Sequence, residues 1–81
     1  MSSKEAKGAD YKDVVDRFKD AGFKNITFEV EYDIITGWMT DDGEVKSVVI
    51  NGDNKFSSGK EYRADAEIVI TYHTYRSNKP K

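Results

Sequence analysis

A single helical period opens this chain, and the residues beyond it alternate or turn. Tyr11, Val14, Val15, Phe18 and Ala21 recur at the three- and four-residue spacing that lines up one face of a helix. Lys12, Asp13, Asp16, Arg17, Lys19 and Asp20 fill the other face, and Asp13 stands four residues before Arg17, the order that favours an ion pair along a helix. Asp10 suits the N-cap, because its carboxylate can accept from the free N–H groups of the first turn. Gly22 marks the stop, and Phe23 follows where an apolar contact back onto the last turn is common. A single helical stripe must be buried against something else, and the rest of the chain offers strands.

Ile26-Thr27-Phe28-Glu29-Val30-Glu31-Tyr32 alternates strictly, with Ile26, Phe28, Val30 and Tyr32 on one side, and predicts a half-buried strand. Residues 33–40 are apolar without alternation and read as a long connection around Trp38. Asp41-Asp42-Gly43 is a turn signal, and Glu44 to Ile50 predicts a second strand. Asn51-Gly52-Asp53-Asn54 turns again, and Ser57-Ser58-Gly59 breaks the chain once more, leaving Phe56 and Tyr62 as isolated loop anchors. From Ala66 to Tyr75 a β-branched and aromatic run predicts the last strand, with Ile68, Ile70 and Tyr72 on one face and Val69, Thr71, His73 and Tyr75 on the other.

Helix, strand, strand, strand has one economical solution. It is an α+β domain with one helix packed on a small, mainly antiparallel three-stranded sheet, open to extension by a short N-terminal or inserted strand. The expected core joins Val14, Val15, Phe18 and Ala21 to Phe28, Val30, Ile68 and Ile70. The domain is expected over residues 10–75, with a disordered polar segment at 1–9 and a basic disordered tail at 76–81.

With 81 residues there is room for one domain, and 37% hydrophobic residues supply one modest core in which aromatic rings must carry much of the volume. Thirteen basic residues nearly cancel fifteen acidic ones, so the net charge of −2 gives no general field for nucleic acid. The basic run Arg76, Lys79, Lys81 reads as a solubilising end. The absence of cysteine excludes disulfides and thiolate metal sites. No apolar run approaches a bilayer span, and the first residues lack the apolar stretch of a signal peptide. The polar ends suit a segment cut from an exported parent, a monomer in isolation.

The order Ala21-Gly22-Phe23, strand, Gly43-Glu44-Val45-Lys46-Ser47-Val48, a link with Ser58-Gly59-Lys60, and closing Ala66-Glu67-Ile68-Val69-Ile70-Thr71 is similar to PASTA domains. These repeat on penicillin-binding proteins and on membrane-anchored serine/threonine kinases of Gram-positive bacteria. The likeness runs from about Asp10 to Thr74. Tyr11-Lys12-Asp13-Val14-Val15, Ile35-Thr36-Gly37-Trp38 and Ile70-Thr71-Tyr72-His73-Thr74 look closer to a PASTA-like variant on exported proteins and lipoproteins of such bacteria. The chain departs from PASTA repeats in lacking a Val-Pro strand before the helix and prolines between the last two strands, and no ligand residue of that family maps onto it. The resemblance implies an extracellular place at the cell surface and a non-catalytic role as a spacer or protein-interaction unit. The alternative it implies is a module that binds peptidoglycan muropeptides.

The residues themselves point away from catalysis. His73 is the sole histidine, with no serine–acid constellation in order around it, and reads as a sheet-face residue. The acidic clusters at 41–44 and 53–54 do not match a calcium loop, since Lys55 stands where a ligand is needed, and turn chemistry accounts for them. Asn25-Ile26-Thr27 has the form of a glycosylation sequon but is explained by strand entry. No enzyme, cofactor or metal is expected. The candidate contact residues are aromatic: Trp38 in the long connection, Tyr62 in the link, and Tyr72 and Tyr75 on the last strand. Trp38 is expected to pack inward as a lid, with Ile34, Ile35 and Met39 beside it.

Overall fold

The computed structural model describes residues 2–36, 40–57, 59 and 61–80. The long helix α2, Tyr11–Asp20, forms as its sequence dictates. Asp10 caps it by accepting from the Lys12 N–H at 2.8 Å. At its other end Gly22 takes φ +97°, the Phe23 N–H donates to Phe18 O (3.1 Å) and the Gly22 N–H to Lys19 O (2.9 Å). This paired closure is completed by the Phe18 and Phe23 rings, edge to face with centroids 5.7 Å apart.

Three strands follow: β1 (Ile26–Ile34), β2 (Val45–Ile50) and β3 (Ile68–Tyr75). Their order across the sheet is β1-β3-β2. The sheet is mixed rather than mainly antiparallel: β1 runs parallel to β3, in register from Ile26 opposite Ile68 to Tyr32 opposite Thr74, while β2 is antiparallel to β3. Alternation along a strand fixes which face each side chain takes and says nothing about which neighbour it pairs with. What places β3 in the middle is its near-continuous Ile68-Val69-Ile70-Thr71 run, suited to burial on both faces, whereas β1 carries Glu29, Glu31 and Asp33, charges that suit an edge.

The core lies between α2 and the β2–β3 half of the sheet. Val14, Val15 and Phe18 meet Val48, Ile50, Ile68 and Ile70, with Val45, Phe56, Ala66 and Ala6 completing the cluster. Phe56 and Tyr62 are the anchors their isolation suggested, the first buried in the core and the second half-buried against it. Three expected members stand outside: Ala21 is exposed, Val30 only half-buried, and Phe28 is 46% exposed. One helix about 10 Å across cannot cover three strands spaced by nearly 5 Å each, so the β1 side of the sheet is left short of cover.

Residues 2–9, part of a segment expected to be disordered, pack instead. Ser3–Ala6 forms a one-turn helix, α1, closed by a reciprocal capping box. The Glu5 N–H donates to Ser2 Oγ (3.3 Å) and the Ser2 N–H to Glu5 Oε1 (3.2 Å). Ala6 is 1% exposed, and the Ser3 N–H donates to Phe56 O (3.0 Å). Arg17, expected to pair with Asp13, reaches Glu5 of α1 at 3.8 Å instead. The chain next to α2 lies along β2, with the Gly8 N–H on Val45 O, the Val45 N–H on Ala9 O, and a bridge between Asp10 and Glu44. This contact is a single bridge beside β2 rather than an added strand, and the sheet keeps three strands. In the tail, Arg76–Asn78 forms a 3-10 turn whose Asn78 amide donates to Thr74 Oγ1 at 3.1 Å.

Candidate functional site

The uncovered end of the helix face holds the most distinctive surface of the molecule. Tyr11, the first residue of α2, stacks on Tyr72 of β3 with ring centroids 4.0 Å apart and planes 10° from parallel. Phe28, from β1, stands edge-on to both, 6.0 Å from Tyr11 and 6.2 Å from Tyr72. The register explains the meeting, since Phe28 lies opposite Ile70 and Tyr72 is the next inward-facing residue of β3.

The 41–43 turn holds this cluster in place. The Gly43 N–H donates to His73 O (2.8 Å), the Tyr11 N–H donates to Gly43 O (2.9 Å), and Thr74 Oγ1 donates to Asp42 Oδ1 (2.6 Å). Gly43 has φ +87° and lies beneath the Tyr11 ring, where a Cβ would come within 3.2 Å of Cδ1. Only glycine supplies that backbone conformation without strain and leaves room for the ring. Lys12 Nζ stands 5.9 Å from the Tyr11 centroid, within reach of a cation–π contact. Burial pushes the Tyr72 phenol up, and the neighbouring Tyr11, Tyr32 and Asp42 push it further. Tyr72 therefore presents a neutral phenol to the cluster, whose border carries Lys12 and Asp42.

The open face of the sheet carries a second arrangement. His73 Nδ1 lies 2.9 Å from both carboxylate oxygens of Asp33, and Lys46 Nζ lies 3.7 Å from Glu31 Oε1. His73 thus has an acid partner that sequence proximity could not reveal, because the two residues are brought together only by β1–β3 pairing. A carboxylate-oriented imidazole is one part of an acid–base constellation. Among the described residues no group of three or more histidine and acidic side chains is placed to hold a metal ion. The carboxylates of Asp53 and Glu44 serve their turns, while that of Asp42 accepts from Thr74. The Lys55 N–H donates to Asp53 Oδ1 (2.9 Å) and the Asp41 N–H to Glu44 Oε2 (3.1 Å).

Of the four aromatic candidates, Tyr72 belongs to the ring cluster, Tyr62 flanks the core, and Tyr75, opposite Ile34 in the ladder, is partly exposed at the end of β3. The structure does not bring these three together. Trp38, like Gly37 and Met39, lies outside the described residues; of its neighbours, Ile34 is buried and Ile35 exposed. Tyr11 and Phe28 escape a sequence-based search for site residues because each fits a core pattern. The signal that could have found them is the mismatch between one narrow helix and three strands, which leaves first-turn and edge-strand rings to cover each other.

Lys46 and Arg63 line two shallow grooves elsewhere. One, of about 220 Å³, is lined by Lys4, Lys7, Lys46 and Asn54, and the other, of about 480 Å³, by Lys24, Asn25, Arg63 and Asp65. Neither is lined by Tyr11, Phe28 or Tyr72. No helix among the described residues is long and apolar enough to cross a membrane. No protein-family model, curated protein or solved structure matches the chain.

Proposed function

We propose that this chain is a non-catalytic interaction module whose contact surface is the Tyr11–Phe28–Tyr72 cluster, in the cell-surface, extracellular setting implied by the PASTA-like resemblance. The PASTA-like identity of the fold, and the monomeric state of the free module, belong to the same proposal. The observation that carries it is Phe28, held 46% exposed in a three-ring cluster that leaves it little freedom. An exposed aromatic with its conformation already fixed loses little entropy when a partner covers it, which is what makes such rings strong contact points.

The muropeptide alternative draws on the same rings, which could stack on a sugar. It also calls for basic residues beside them to meet carboxylates, and the border of the cluster offers Lys12 against Asp42. NMR titration with p-cresol, a tyrosine side-chain analogue, and in parallel with a soluble muropeptide tests both. Saturable shifts of the Tyr11, Phe28 and Tyr72 ring signals with cresol support the interaction surface. Shifts with muropeptide alone favour the sugar-binding reading, and silence with both would sink the surface as a contact site.

A further inference from the structure

β1 is a nine-residue strand with a ladder neighbour on one side only among the described residues. The Ile68 N–H donates to Asn25 O at 2.9 Å, which sets the parity of the parallel ladder. Odd-numbered β1 residues turn their backbone groups to β3. Ile26, Phe28, Val30 and Tyr32 therefore turn N–H and C=O outward, one such pair every ~6.6 Å along the edge. The same four residues carry the aromatic and aliphatic side chains of the helix face, while Thr27, Glu29, Glu31 and Asp33 project from the open face.

We infer that this edge accepts an extended peptide as a fourth strand, one whose alternate side chains are basic and apolar. The inference rests on the interaction-module reading and names its partner. Backbone pairing along β1 would supply most of the attraction, as in other strand-addition complexes. Apolar side chains of the added strand would fall beside Ile26, Phe28 and Val30, covering the ring that α2 leaves exposed. Basic ones would fall beside Glu29 and Glu31. Glu29 has no ion-pair partner among the described residues, and Glu31 shares Lys46 across 3.7 Å with both side chains about half exposed.

Charge also decides against a second copy of this chain. Antiparallel pairing of β1 with itself about Val30, the register with the longest overlap, sets Glu29 of one strand across from Glu31 of the other, and like charges directly opposed destabilise a strand pair. Acidic side chains on an edge are a known guard against such self-association. A guard of that kind explains the glutamates and leaves Phe28 unexplained; a basic–apolar partner accounts for both.

The probe is an N-acetylated, C-amidated octapeptide alternating lysine and valine, titrated into the whole chain and followed by amide NMR and hydrogen exchange. The expected result is saturable binding, weakened by salt, with new exchange protection at Phe28 and Val30 and little change at Glu29 and Glu31, which are already bonded to β3. Replacing the lysines by glutamate should abolish binding, as should N-methylation of one alternate set of peptide amides but not the other. Glu29→Lys should weaken it without moving the unfolding midpoint. Equal binding of the glutamate peptide, tolerance of methylation at both sets, or no binding would overturn strand addition. Shifts confined to the rings of Tyr11, Phe28 and Tyr72 without new amide protection would also overturn it, while leaving the aromatic contact surface standing.

Discussion

Phe18 and Phe28 are the same side chain in two environments, and truncating each to alanine asks whether the helix sits where the structure puts it. Phe18 is 5% exposed and edge-on to Phe23 and Phe56. Removing a ring so buried costs about 3–5 kcal/mol. A domain of 81 residues has roughly 4–12 kcal/mol in total, at about 0.05–0.15 kcal/mol per residue, so Phe18→Ala takes it close to the unfolding threshold. Phe28 keeps nearly half its surface in water. Its truncation forfeits about half of the ~1.5–3 kcal/mol for burying a phenylalanine, plus part of its edge contacts, about 1–2 kcal/mol together. In urea melts followed by far-ultraviolet circular dichroism, a gap of about 2 kcal/mol separates the two midpoints by roughly 2 M, for a slope near 1 kcal/mol per M. Coincident midpoints, or a lower midpoint for Phe28→Ala, would refute the placement of α2 over β2 and β3.

Gly43→Ala should destabilise by about 1–2 kcal/mol, the cost of a side chain at positive φ, and should disturb the Tyr11–Tyr72 stack, read as a change in near-ultraviolet circular dichroism. Deleting residues 1–7 removes buried Ala6 and the Ser3–Phe56 hydrogen bonds and should lower stability by about 1–3 kcal/mol; an unchanged melting curve would return that segment to disorder. The Tyr72 phenol is held above its ordinary value of 10.0, chiefly by burial, so folding favours its protonated form. The resulting stability is fully present below pH 10.0 and is lost as pH rises through the folded-state value. Phenolate absorbance should show a tyrosine ionising above pH 10.0, and Tyr72→Phe should abolish that step. Glu5 is held below its ordinary 4.5 by hydrogen bonds from the Ser2 backbone and hydroxyl, so its contribution is present above 4.5 and fades as acid protonates it, which Glu5→Gln should mimic.

Much of the fold is legible from local chemistry. Asp10, Gly22 and Phe23 mark both ends of α2, and alternation assigns the faces of β1 and β3. What lies beyond reach is pairing at long separation. Nothing near Asp33 announces His73, nothing near Phe28 announces Tyr11, and the parallel partnership of β1 with β3 is written only in the contrast between a charged edge strand and an apolar central one. The N-terminal turn escapes detection for a related reason. Ser2-Ser3-Lys4-Glu5-Ala6 is polar and short, and the capping box and the single buried methyl that fix it matter only because Phe56 and β2 are there to receive them. The candidate surface is half visible: Tyr72 stands out as an aromatic on the last strand, whereas its two companions fit a core pattern that one helix cannot complete.

The sheet order has a consequence for how the molecule comes into being. β3 joins β1 to β2, and it is the last of the three strands to be made. Until Ile68–Tyr75 emerges, neither earlier strand has its ladder, and the buried face of α2 lacks Ile68 and Ile70 at its centre. A growing chain therefore gains little by folding piecemeal. The domain should close in one concerted step once β3 has been made, slowly for its size because its decisive contacts join residues far apart in the sequence. Chain termination or proteolysis just before Ile68 would then yield a product with almost no residual structure, rather than a weakened version of the whole.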